Sequence, residues 1–158
     1  MYQKNQYVVY GSHGVCLIAD IEEKNIDHKA VQYYVLEPLS RSGAMYYVPI
    51  HNAVAVGKIR LPLTREMILS MTQAQGQDVW IAEENQRRLR YRELLGNTDP
   101  VALCCMVRRL HQHRQEQLEL GRKFHVNDAN FLKDAELLLV AEFAFVLGID
   151  QEEAFKMI

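Results

Sequence analysis

Cysteine, tryptophan and long apolar runs are all scarce in this chain of 158 residues. The three cysteines are an odd number, two are adjacent, and no secretory signal precedes them, so reduced thiols in a cytoplasm are expected. The longest strongly apolar segment, LLLVAEFAFVLGI, is interrupted by Glu142 and is too short to cross a bilayer. These absences argue against a secreted disulfide scaffold and a membrane protein, and favour a globular cytoplasmic protein.

An excess of basic or acidic side chains is found only in particular segments of the chain. Residues 1–79 carry seven basic and seven acidic side chains, residues 80–123 carry nine and six, and residues 124–158 carry two and seven. The formal net charge of −2 therefore conceals a basic middle segment and an acidic tail. Only the middle segment has the charge to face a polyanion such as a nucleic acid.

The first sixty residues have the pattern of β structure. Five short runs rich in valine, isoleucine and tyrosine are separated by turn residues at about ten-residue spacing. These runs are QYVVY, VCLIADIEE, VQYYVLEP, AMYYVPI and AVAVGKIRL. They predict a small five-stranded β-barrel module of the Tudor or SH3 kind over residues 1–62.

Helical spacing replaces this pattern in residues 63–158, where an all-α module of about five helices is expected. The expected helices span 64–76, 78–96, 98–123, 127–148 and 150–158. Thr64, Asp78, Asp99 and Asp150 are the expected N-caps, and Pro100 stands at a first helical position. The fourth segment is expected to form the core of this module, with its acidic side chains outside or paired with arginines of the third. The fold class is therefore α+β.

The stretch VYGSHGVCLI places His13 and Cys16 beside two glycines, a pairing that could belong to a reactive thiol. A nucleophilic cysteine needs a base within reach and a lowered thiol pKa. Here Cys16 falls inside a strand, where we expect it to be partly buried, and Gly11 and Gly14 suit a tight turn with positive φ. We interpret the stretch as a turn between strands and expect no catalytic residue.

A metal site is the alternative reading of five other side chains. They are Cys104, Cys105, His111, His113 and His125. Adjacent cysteines point about 100° apart on a helix, and a His-x-His pair points to opposite sides of it. Zinc sites instead pair ligands at two- to four-residue spacing on two elements. We therefore expect core cysteines and surface histidines, with no metal and no cofactor.

The segment WIAEENQRRLRYRELL combines arginine with aromatic residues. On a helix, Trp80, Arg87 and Tyr91 would share one stripe, and Arg88 and Arg92 the adjacent one. Such a mixture is frequent on nucleic-acid surfaces, because guanidinium groups hold phosphates and rings lie against bases or sugars. An ordinary amphipathic helix, with a core tryptophan and arginines paired to nearby glutamates, is the other interpretation.

Together these pieces resemble the CarD family of bacterial transcription regulators, which bind RNA polymerase. The matching stretches are VVYGSHGVCLIADIEEKNI, YYVLEP and YYVPIHNA, followed by RRLRYRELL, VALCCMVRRL and AELLLVAEFAFVLGI. They cover nearly the whole chain in the right order, including the change from β to α. The resemblance implies a non-enzymatic regulator that works in the bacterial cytoplasm.

The resemblance also implies a partner for the β module. The family's Tudor-like domain docks on the RNA polymerase β subunit through an exposed sheet edge and nearby basic or apolar side chains. By position, the corresponding residues here are Lys24, Ile26, Tyr46 and Tyr47. Alternation along the strand places one of the two tyrosines in the core. Tyr47 stands where some members of the family have arginine.

For the helical module the resemblance implies contact with promoter DNA just upstream of the transcription bubble, which stabilises the open complex. A tryptophan wedges where the duplex opens, and basic side chains hold phosphates. The corresponding residues are Trp80, Arg87, Arg88, Tyr91 and Arg92, although Trp80 lies farther from the arginines than in many members. The acidic tail motivates an alternative, a polymerase-bound adaptor whose helical module binds protein rather than DNA.

Overall fold

The computed structural model describes residues 1–96 and 99–158, which divide into two compact units, Met1–Pro62 and Leu63–Ile158. The strands of the first unit are β1 Tyr7–Tyr10, β2 Val15–Ile26, β3 Lys29–Pro38, β4 Tyr46–Pro49 and β5 Ile59–Arg60, with a short helix α1 at Ala53–Val56. The helices of the second unit are α2 Arg65–Gln73, α3 Glu84–Gly96, α4 Pro100–Glu119, α5 Val126–Leu147 and α6 Gln151–Phe155. The α+β class is confirmed.

The five strands form one antiparallel sheet in the order β4-β3-β2-β1-β5. The expectation of a barrel was wrong, because among the described residues β4 and β5 each pair with a single strand and the sheet stays open. Much of the fifth β-like run is helix α1, and only two residues of it form β5. Asn52 explains the helix, since its Oδ1 accepts the N–H groups of Val54 and Ala55, both at 3.1 Å.

The turn interpretation of the GSHG stretch is confirmed. Gly11–His13 form one 3₁₀ turn, and Gly11 and Gly14 have positive φ angles of 45° and 73°. Cys16, however, is completely buried rather than partly so. Cys16 and Ile18 alternate onto the same face of β2 and both belong to the core of the first unit, and the register with β3 shifts only after Ile18.

The core of the first unit lies on one face of its sheet. Its buried residues are Val8, Cys16, Ile18, Tyr34, Leu36, Val48 and Ile59. β2 and β3 are the longest strands. Near the turn that joins Ile26 to Lys29 they extend past the neighbouring strands and pair only with each other, as a two-stranded ribbon. This ribbon carries part of the candidate site described below.

Most helices of the second unit begin where the sequence predicted. Thr64 Oγ1 accepts the N–H of Met67, and the caps Asp99 and Asp150 accept N–H groups in the same way. α3 is the exception, because it begins at Glu84 and not near Asp78. The Glu83 carboxylate accepts the N–H groups of Asn85 and Gln86 at 3.0 and 2.7 Å, so it caps the helix instead.

α5 lies in the core of the second unit, as expected. Two of its acids do not lie outside, however: Asp128 and Glu142 are buried, and the Glu142 Oε1 accepts the N–H of Leu63 at 2.9 Å. Burying a carboxylate requires strong partners, which the helical pattern alone does not reveal. No helix in the described part of the chain is long and apolar enough to span a membrane.

Candidate functional site

Three of the four residues expected to bind polymerase share one face of the first sheet. Lys24 and Ile26 alternate along β2, and the Lys24 Nζ lies 3.6 Å from the ring centroid of Tyr47 on β4. The Tyr33 ring meets the Tyr47 ring edge-on at a centroid distance of 6.4 Å. Ile26 and Tyr47 are 48% and 45% exposed. We call the surface formed by Lys24, Ile26, Tyr33 and Tyr47 the Tyr47 face.

Tyr46 lies on the other side of β4. Its ring is 4.0 Å from the His13 ring and 6.2 Å from the Tyr10 ring, and it packs against the core of the first unit. Burial, with a smaller effect of the Lys58 charge, lowers the pKa of His13, so the neutral imidazole is favoured in this ring cluster. The expectation that one of the two tyrosines is a core residue is thus met by Tyr46.

β4 also provides an open sheet edge. The Ile50 N–H donates to the Gln32 carbonyl at 2.9 Å, which fixes the alternation of hydrogen-bonded pairs between β3 and β4. By this alternation the N–H and C=O of Tyr47 point away from β3. Pro49 occupies the other outward position, where a missing N–H costs no ladder bond. The outer edge of β4 therefore offers the Tyr47 peptide groups to an added strand.

The sequence predicted that Trp80 lies on a helix. In the structure Trp80 lies instead in the segment that precedes α3. Its indole stacks on the His113 ring of α4 with centroids 3.8 Å apart and planes at 23°. The guanidinium groups of Arg87 and Arg109 lie 4.7 and 5.2 Å from the indole centroid. The side chain is half-buried against the core of the second unit. In this conformation the indole is a packing group.

Arg87 and Tyr91 turn inward to the buried carboxylate of Asp128. Arg87 donates to it from Nε at 2.8 Å and from Nη2 at 3.3 Å, and the Tyr91 hydroxyl donates at 2.6 Å. Burial opposes the charge of Arg87, but Asp128 outweighs this effect and raises the Arg87 pKa. Burial and the Asp128 carboxylate both raise the pKa of Tyr91. Both side chains therefore have a structural role in this network.

Arg88 and Arg92 lie on the exposed side of α3, one helical turn apart. Neither forms an ion pair with any of the residues the structure describes. Of the five side chains expected at DNA, the structure thus presents two arginines to solvent, holds one indole half-buried and encloses the other two. The stripe that contains Arg87 and Tyr91 therefore faces inward, and the adjacent pair of arginines faces solvent.

Two important residues of this region were missed from the sequence, Asp128 and His113. Asp128 stands in the first turn of α5, where an acid usually faces solvent and favours the helix dipole, so no pattern links it to Arg87. His113 was weighed as a metal ligand and expected at the surface, whereas its ring is stacked on the Trp80 indole. Within residues 1–96 and 99–158, no group of three histidine, cysteine, aspartate or glutamate side chains is arranged to hold a metal ion.

Comparison with known proteins gives a family for the first unit. Residues 2–60 match the family model described as the CarD-like/TRCF RID domain. The matched range coincides with the open sheet that carries the Tyr47 face. No curated protein matches the chain. The N-terminal unit of this chain is therefore a CarD-like/TRCF RID domain, in agreement with the resemblance to the CarD family.

Proposed function

We propose that this chain is a non-enzymatic transcription factor that binds the β subunit of bacterial RNA polymerase. The observation that carries the proposal is the CarD-like/TRCF RID domain at residues 2–60. Its Tyr47 face supports the same function, because aromatic side chains such as the exposed Tyr47 are enriched in protein interfaces.

Docking would use the outer edge of β4. A strand of the partner would pair with the N–H and C=O of Tyr47, and the side chains of the Tyr47 face would fix its register. The edge is short and contains a proline, two features that limit uncontrolled pairing with other chains. Affinity would therefore come from main-chain bonds and from the aromatic side chains together.

The helical unit would contact promoter DNA at the upstream edge of the bubble. Of the side chains expected at DNA, Arg88 and Arg92 are exposed and would hold phosphates, and Trp80 is the ring that would enter the opened step. Binding by two arginines alone would be weak and insensitive to base sequence. Attachment through the first unit would make such binding effective, because it raises the local concentration of the helical unit.

A second function has its own support. Arg87 and Tyr91 are enclosed and Trp80 is stacked, so most of the expected DNA surface is already occupied inside the unit. An adaptor whose helical unit binds a protein needs none of these groups at DNA. The exposed acids of the last segment, which include Glu152 and Glu153, would suit a basic protein partner better than a nucleic acid.

The lifetime of open promoter complexes tests the first function and separates it from the second. The full chain should lengthen this lifetime with purified bacterial polymerase. Arg88→Ala and Arg92→Ala should each give a smaller increase in the lifetime. On isolated forked DNA, each variant should reduce the slope of log affinity against log salt by about 0.9. Lys156→Ala removes an equal charge from the residue that follows α6 and is the control. Polymerase binding with no DNA shift at low salt would favour the adaptor.

A further inference from the structure

Residues 74–83, which we call the strap, join α2 to α3 without a regular helix or strand of their own. The main chain of the strap is held on both sides of Trp80. Before it, the Asp78 N–H donates to the Cys105 carbonyl at 3.2 Å. After it, Arg87 Nη1 donates to the carbonyls of Ile81 and Ala82 at 3.0 and 3.2 Å. The strap backbone is thus fastened to α3 and α4.

Two more arginines fasten the strap. Arg90 bonds to the Asp78 carboxylate at 3.3 Å, and Arg108 donates to the Gly76 carbonyl at 3.3 Å and to the Met71 carbonyl. Arg87 and Arg108 therefore hold carbonyls of the strap, and Arg90 holds the Asp78 side chain. Among the described residues, the indole of Trp80 is held by contacts of its own ring. The freedom that remains to Trp80 is rotation about its side-chain bonds.

The contacts of that ring occupy the surface that DNA would need. His113 covers one face of the indole at a centroid distance of 3.8 Å, and the Arg87 guanidinium lies 4.7 Å from its centroid. Two adjacent bases that stack on the indole must displace at least the His113 imidazole from it. The His113 ring is itself oriented, because its Nδ1 lies 3.6 Å from the Glu116 carboxylate and its ring lies 6.2 Å from that of Phe124.

We propose that the His113–Trp80 stack is a latch, which holds the indole in the free protein and opens when Trp80 enters the DNA. This proposal rests on the proposed function, since it concerns the same contact with DNA. The latch opens by rotation of the side chain while the strap backbone stays fastened. An aromatic pair of this kind weakens DNA binding by a factor of about two to ten, the cost of breaking the stack first.

The existence of the latch can be measured without DNA. Trp80 is the single tryptophan of the chain, so intrinsic fluorescence reports on this ring alone. In the full chain, His113→Ala should increase quenching of Trp80 by acrylamide, whereas His113→Phe, which keeps a ring in place, should not. Gln115→Ala, an exposed change on the same helix, is the control and should leave quenching unchanged. Equal quenching in His113→Ala and in the control would overturn the latch.

Its effect on function is measured by affinity for a forked DNA duplex. His113→Ala should bind about two- to tenfold more tightly than the unaltered chain, and His113→Phe should show no gain. The gain should disappear in the double variant with Trp80→Ala. Unchanged or weaker binding by His113→Ala would overturn the latch and leave His113 as a residue that positions the ring. If Trp80→Ala alone binds as well as the unaltered chain, the wedge role in the proposed function fails instead.

Discussion

The Arg87 guanidinium and the Asp128 carboxylate meet inside the helical unit, with Nε–Oδ1 and Nη2–Oδ2 distances of 2.8 and 3.3 Å. The Arg87 side chain is 7% exposed and that of Asp128 is 1% exposed, so water screens neither charge. The pair joins α3 to α5, and the Arg87 Nη1 group holds the strap. One ion pair therefore organises three segments around Trp80.

Asp128→Ala should destabilise the helical unit by about 3–5 kcal/mol, because it leaves the Arg87 charge buried without a counter-ion. Adding Arg87→Met should recover part of this loss, since the uncompensated charge is then removed as well. The recovery stays incomplete because the carbonyls of Ile81 and Ala82 lose their donor. Urea unfolding of the two variants measures the difference. Lys156→Ala, in an exposed pair with Glu152, should change stability by less than about 0.5 kcal/mol.

The turn of the β2–β3 ribbon leads to a prediction of increased stability. Asp27 and His28 both have positive φ, at 49° and 62°, in a two-residue connection that favours glycine. His28→Gly should therefore stabilise the first unit by about 0.5–1 kcal/mol. Lys29→Gly, one residue later in β3, should instead destabilise it by a similar amount. Thermal unfolding compares the two, and a loss of stability in both variants would contradict the argument.

The cysteines should differ in reactivity. Burial raises the pKa of Cys16 to about 11, so roughly one in a thousand of these thiols is ionised at pH 8. Cys105 is partly accessible. Brief treatment of the native chain with iodoacetamide should label Cys105 and spare Cys16, as measured by mass spectrometry of the peptides. Rapid labelling of Cys16 in the folded chain would revive a reactive thiol at the GSHG turn.

Acid should weaken the packing around Trp80. Burial lowers the pKa of His113 below its ordinary value of 6.5, so the unfolded chain binds this proton more readily than the folded chain. The stability contributed by the neutral ring is complete above about pH 6.5 and is lost as the pH falls through that value. The free energy of unfolding should therefore fall less between pH 7.5 and 5.5 in His113→Gln than in the unaltered chain. Equal falls would show that His113 is not the responsible group.

The sequence predicted well those features that depend on local chemistry. The caps Thr64 and Asp99 lie where they were expected, and α5 ends at the Gly148 cap within one residue of its expected end, because these features depend on neighbouring residues. The predicted start of α3 was wrong because Asp78 has the chemistry of a cap, whereas in the structure its carboxylate accepts from Arg90 and the Glu83 carboxylate caps the helix. The open sheet was missed for a related reason, since Asn52 turns a β-like run into a helix.

The residues of the candidate site also differ in whether the sequence alone predicts their positions. Alternation along β4 separates Tyr46 from Tyr47, and this follows from the sequence alone. The burial of Arg87 does not, because it requires Asp128 from a helix 41 residues away. Ion pairs between distant elements leave no periodic signal, so an arginine in the core and an arginine at the surface look alike in the sequence.

Binding of the full chain to the purified RNA polymerase β subunit is the direct test of the proposed polymerase contact. Tyr47→Ala removes the side chain but keeps the outward N–H, whereas Tyr47→Pro removes both. Val54→Ala changes another exposed apolar residue of the same unit and is the control. We expect tight binding by the unaltered chain and the control, weaker binding by Tyr47→Ala, and a further loss in Tyr47→Pro. Equal affinity in all four proteins, or no binding by any of them, would contradict this expectation.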